Sequence, residues 1–135
     1  MIPRTVYGPE HEQFRDSVRK FLQAEACPYH AAWEKAGVID RSLWHKAGEL
    51  GMLCPTVPEH YGGAGVDFRY HAIVDEELAQ LGLSGIGFPL HSDIAVPYLL
   101  HFGADAIKEK YLPGCVSGDI VTAIAMTEPG TGSDL

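Results

Sequence analysis

No run of basic residues occurs anywhere in this chain. Ten Lys and Arg stand against eighteen Asp and Glu, a formal charge of −8, and that balance argues against nucleic acid as a partner. No apolar stretch approaches the length of a bilayer span, and residues 1–9 hold no apolar targeting core. A soluble, cytoplasmic protein of the bacterial kind is expected. Cysteine is scarce: Cys27, Cys54 and Cys115 are an odd, widely spaced set. They make a poor disulfide framework and read as three small buried hydrophobes. The seven histidines follow no His-Glu-x-x-His pattern and no spacing tied to a cysteine pair. No metal site is assigned, and each histidine is expected at the surface or the edge of the core. No Ser–His–Asp or Cys–His arrangement can be proposed from residue order. Internal repeats and low-complexity segments are also missing.

What is present is helical patterning. With 135 residues, 46% of them hydrophobic, the chain has room for one domain with a real core. Pro9 suits a first helical turn, with Glu10 and Glu12 at the positive end of the dipole. Phe14, Val18, Phe21 and Leu22 then form one apolar face, which assigns Arg15, Asp16, Arg19 and Lys20 to the solvated one. Pro28 stops that helix, and a short one over 29–35 is closed by Gly37. Asp40 can cap the next, in which Leu43, Trp44, Ala47 and Leu50 share a face up to Gly51. Trp33 and Trp44 read as packing anchors.

A loop punctuated by Pro55, Pro58, Gly62, Gly63 and Gly65 follows. Asp67 can cap a long helix that buries Tyr70, Ile73, Val74, Leu78 and Leu81, leaving Asp75 and Glu76 in water. Another helix is expected from Ser92 or Asp93, with Pro97 in its first turn or kinking it, and Gly103 ends it. A last short helix carries Ile107, Tyr111 and Leu112 and stops before Pro113. Only residues 120–126 read as a strand, continuous and apolar. A lone strand cannot satisfy its own backbone. The expectation is therefore an all-helical domain over 1–118, with 119–135 opening a second, β domain of a longer protein.

The apolar run feeds a loop in which Gly130 and Gly132 permit close backbone approach, with the hydroxyls of Thr127 and Ser133 on either side. Taken alone, this loop reads as an ordinary turn at least as readily as a ligand site. It lacks the lysine of a phosphate loop and the helix that follows a dinucleotide fingerprint, and Glu128 and Asp134 would repel a phosphate.

As a sequence, though, Ala125-Met126-Thr127-Glu128-Pro129-Gly130-Thr131-Gly132-Ser133-Asp134-Leu135 resembles the signature of the acyl-CoA dehydrogenase family. Pro58-Glu59-x-Tyr61-Gly62-Gly63-x-Gly65, Glu76-Glu77-Leu78-Ala79 and Lys110-Tyr111-Leu112-Pro113 are similar to that family in order and rough spacing. The front, Phe14-Arg15-Asp16-Ser17-Val18-Arg19-Lys20-Phe21 with Trp33-Glu34-Lys35-Ala36-Gly37, is similar to its long-chain members.

The resemblance implies an all-α fold, an orthogonal bundle of about six helices, ending in the first strand of a β domain. In the family a C-terminal four-helix domain follows, and homotetramers are common. FAD takes a hydride from the β carbon of a fatty acyl-CoA thioester while a carboxylate removes the α proton, and electrons pass to an electron-transferring flavoprotein. By position, Ile124, Ala125, Met126, Thr127, Gly132 and Ser133 would line the flavin, with Thr127 bonded to its ring and Ser133 also meeting the acyl-CoA substrate. The catalytic base belongs to the C-terminal domain, so no residue here is assigned that role and the isolated chain is expected to be inactive. Leu50, Gly51, Met52, Ala64, Val66 and Val74 match an apolar patch that docks the flavoprotein partner. An acyl-CoA oxidase, or a helical binding or assembly module without the chemistry, remain the alternatives.

Overall fold

Gly8 turns the chain into its first helix: its N–H donates to His11 Nδ1 at 3.0 Å, and Pro9, with no N–H to lose, begins the helix. The computed structural model describes residues 5–131. Helices α1 (Pro9–Glu25), α2 (His30–Ala36) and α3 (Arg41–Glu49) come first, followed by a 3₁₀ turn (Glu59–Tyr61) and α4 (Arg69–Gln80). A π-helical turn (Leu90–Ala95) runs directly into α5 (Val96–Phe102), and α6 (Asp105–Ser117) is last. The expected boundaries at Gly37, Asp40 and Gly103 all hold. Gly37 closes α2 at φ 69°, and Asp40 caps α3 by accepting from the Ser42 N–H at 2.8 Å.

Three expectations about elements need correction. Among the described residues there is no strand, and residues 121–128 carry no regular secondary structure. The reason is the one that made a strand there conspicuous: among the described residues no second strand lies alongside to pair with it. The helix expected from Ser92 begins at Phe88, and its π-helical turn precedes Pro97. A π-helical turn before Pro97 accommodates a ring that would otherwise clash with the carbonyl four residues back, and the helix continues to Phe102. Helix α6 does not stop at Pro113 but runs four residues past it. Proline within a helix costs about 3 kcal/mol. Burying Leu112 and Val116 beside it, at roughly 1.5–3 kcal/mol each, offsets that.

Helix α1 packs chiefly on α4. Its buried stripe is His11, Arg15, Val18 and Leu22, with Phe21 beside it, so Arg15 is not on a solvated face. Across the interface lies Glu77, 0% exposed. It accepts from Arg19 Nε at 2.7 Å, Arg19 Nη2 at 2.8 Å and Arg15 Nη1 at 3.1 Å, while Arg15 Nη1 also reaches Glu76 at 2.8 Å. Burial pushes Glu77 upward, but the arginine hydrogen bonds outweigh it and hold the carboxyl below its usual range. The expected water-facing Glu76 is therefore part of a helix–helix lock.

Helices α3 and α6 cross closely because two glycines allow it. A Cβ at Gly48 would lie 2.3 Å from the Ser117 carbonyl oxygen. Gly118 sits at φ +82°, where a Cβ would lie 2.4 Å from the Trp44 carbonyl oxygen. This crossing fixes the point at which the chain leaves the helical body.

Candidate functional site

That exit is held firmly. Arg41 Nη2 donates to the Asp119 carbonyl at 2.5 Å, and His45 Nδ1 lies 3.2 Å from the Asp119 carboxylate. The Ile120 N–H donates to the Gly114 carbonyl at 2.9 Å. Thr122 then meets His91, a 0%-exposed residue of the π-helical turn. His91 Nε2 lies 2.9 Å from the Cys115 carbonyl, which can only accept, so the proton is assigned to Nε2. Nδ1 is left to accept from the Thr122 N–H at 3.2 Å and the Thr122 hydroxyl at 2.9 Å. Burial pushes the ring's pKa down, against smaller opposing effects of the Cys115 carbonyl and Asp93.

Residues 123–130 are exposed. Among the described residues no hydrogen bond ties 123–127 to anything else. Ile124, Ala125, Met126 and Thr127, all predicted flavin contacts, are exposed together on this arm. A turn closes behind them: Thr131 N–H donates to the Glu128 carbonyl at 3.1 Å, and Glu128 N–H to Thr131 Oγ1 at 3.1 Å. Gly132 and Ser133 lie outside the described residues. The donor set that can be described, successive free N–H groups and a threonine hydroxyl, fits the polar edge of a flavin.

Of the predicted docking residues, Leu50 (55% exposed), Gly51 and Ala64 reach the surface and Val66 is half-buried. Met52 (2% exposed) and Val74 belong to the core. A cleft of about 530 Å³ opens elsewhere, between α2, α3 and the loop at Ser84–Gly85–Gly87, with Trp33, Trp44 and Val121 on its wall.

Sequence reasoning missed the buried polar residues. His11, His71 and His91 are core residues, not surface ones. His71 Nδ1 bonds Asp93, and its Nε2 meets Thr56 Oγ1 at 3.0 Å. Asp75, expected in water, shares a hydrogen bond with Asp93; burial first, and then that neighbouring carboxylate, push its pKa up to about 7. Cys54 and Cys115 are buried as expected, and burial pushes the Cys54 thiol up to about 12, which leaves no thiolate for chemistry at neutral pH. Cys27 is exposed, because Ala26 takes the inward position where α1 ends. Among the described residues, no group of three or more His, Cys, Asp and Glu side chains is arranged to hold a metal ion, and no helix is long and apolar enough to cross a membrane.

Residues 8–119 match the family model of the acyl-CoA dehydrogenase N-terminal domain. The chain is 48% identical over 132 residues to the mitochondrial long-chain specific acyl-CoA dehydrogenase of Sus scrofa, an alignment that takes in 98% of this chain and 31% of that protein. The solved acyl-CoA dehydrogenase of Geobacillus kaustophilus matches 98% of this chain with TM-score 0.92 and 50% identity, over 35% of its own chain. An acyl-CoA dehydrogenase from Bacillus anthracis, solved in complex with FAD, matches 98% of this chain with TM-score 0.77 and 31% identity, over 23% of its own length. The sequence thus spans about a third or less of the proteins it matches.

Proposed function

The chain belongs to the acyl-CoA dehydrogenase family through its N-terminal domain, and on that premise we propose that it forms the front of an FAD-dependent enzyme that α,β-dehydrogenates fatty acyl-CoA thioesters. The observation that carries this reading is the arm beyond Thr122: free backbone donors and the Thr127 hydroxyl, held out from a rigid helical body by the grips on Asp119, Ile120 and Thr122. A bound flavin supplies the hydride acceptor. The N–H groups of residues 124–127 and the Thr127 hydroxyl would hold its polar edge, where such donors would stabilise the negative charge that reduction brings. By the family resemblance, Ser133 would meet both the cofactor and the acyl-CoA substrate. Glu128 is exposed in a solvated turn and is assigned no proton transfer. In the family the base belongs to the C-terminal domain, so no described residue is assigned that role and the isolated chain is expected to turn over no substrate. Residues 119–135 open the parent's β domain, the parent is a homotetramer, and its electrons leave to an electron-transferring flavoprotein at the surface around Leu50, Gly51 and Ala64.

Thr127→Ala in the complete protein tests the assignment. Losing one hydrogen bond worth about 0.5–1.5 kcal/mol should lower flavin retention or kcat/KM by a few-fold, and by more if the partner is left buried and unpaired. Unchanged flavin affinity together with unchanged kinetics would remove Thr127 from the cofactor site.

A further inference from the structure

Resting on the flavin reading above, we propose that His91 is the positioning residue that aims the flavin loop, its Nδ1 lone pair holding Thr122, after which residues 123–127 make no hydrogen bond to the helical domain. Three observations converge on it. The chain from Gly118 to Ile120 is already fixed by the α3–α6 crossing and by Arg41, His45 and Gly114, so only the direction taken at Thr122 remains to be set. After Thr122, no hydrogen bond among the described residues ties 123–127 to the body. Five residues reach at most about 17 Å, so a tilt of about 10° at Thr122 displaces Thr127 by up to about 3 Å, and displacements near 1 Å already cost about a hundredfold in rate.

His91 is itself immobilised. Its ring is fully buried and stands edge-on to Trp44 (centroids 5.4 Å apart, planes at 80°), and Trp44 meets Phe88 in the same manner at 4.8 Å and 76°. The Cys115 carbonyl occupies Nε2 and so selects the tautomer whose Nδ1 accepts. The π-helical turn supplies this geometry, and interruptions of that kind in a helix often accompany functional positions. Within hydrogen-bond distance the ring has Cys115 on α6 and Thr122 on the departing chain, while Asp93 on its own turn acts through its charge.

Two isosteric variants separate aiming from mere packing. In His91→Asn the amide oxygen stands where Nδ1 stood and can still accept from Thr122. In His91→Gln the amide nitrogen reaches toward Cys115, and no acceptor faces Thr122. Hydrogen exchange measured on the full chain should show Thr122 N–H protection kept in the Asn variant and reduced by up to about tenfold in the Gln variant, at comparable thermal stability. Imidazole ¹⁵N shifts of the unsubstituted chain should show a protonated Nε2 and a bare Nδ1. Equal loss of protection in both variants, no loss in either, or a protonated Nδ1 would overturn the proposal. In the complete protein, flavin retention should follow the same order, His91 and Asn above Gln. Equal retention in all three, with protection differing, would also overturn the aiming role. If the protection pattern holds but no form binds flavin, the anchor stands and the flavin reading falls.

Discussion

Asp75 sits where two carboxyl groups and one imidazole share a partly buried corner between α4 and the π-helical turn. Its pKa, pushed up to about 7 first by burial and then by Asp93, with His71 pulling the other way, lies above the unfolded value of 3.8. The folded state therefore holds this proton more tightly. The stability so gained is fully present below pH 3.8 and is lost as pH rises through about 7. Asp75→Asn should therefore leave stability near pH 4 almost unchanged and flatten its decline between about pH 4 and 7, a difference that urea melts at several pH values would resolve. A decline of the same slope in the variant would place the titration elsewhere. None of this was legible in the sequence. A helical wheel puts Asp75 and Glu76 outside because it knows only hydrophobicity. Their partners, Asp93 and Arg15, come from other helices, and contacts so far apart in sequence leave no periodic trace. The three buried histidines escaped notice for the same reason.

At the scale of elements, legibility depended on whether the cause was local. Gly37, Asp40 and Gly103 act on their own neighbours, and the helix ends they mark are where the sequence puts them. Pro113 also acts locally, but tertiary burial of Leu112, Cys115 and Val116 overrides it. Its ring is exposed, so Pro113→Ala should restore the missing hydrogen bond to the Glu109 carbonyl while giving up little packing. A gain of about 2 kcal/mol is expected, the interior cost of proline less the entropy it removes from the unfolded chain. Thermal or chemical denaturation of the two chains measures it. No gain, or a loss, would mean that the proline is itself required where α6 crosses α3. Residues 120–126 failed as a strand for a different reason. Their composition favours a strand, but pairing is a property of two segments, and only one is described here.

At the scale of the whole molecule, the helical fold and the family were both readable, because linked motifs from Phe14 to Leu135 resemble one family in one order. The same resemblance named a docking patch that the fold divides: Leu50 and Ala64 are exposed, whereas Met52 and Val74 are buried in the core. Leu50→Asp is therefore the discriminating variant. In the complete protein it should slow reduction of an electron-transferring flavoprotein while leaving dye-coupled turnover intact, and an equal fall in both assays would make the residue structural. The claim on which the rest depends is that this domain serves flavin-dependent dehydrogenation of acyl thioesters. Its most direct test is an anaerobic titration of the complete purified protein with a long-chain acyl-CoA, followed by visible absorbance. The account predicts a yellow protein whose flavin bands bleach as thioester is added, with the 2-enoyl product formed in step. A colourless protein, or a yellow one whose spectrum no acyl-CoA changes, would contradict it.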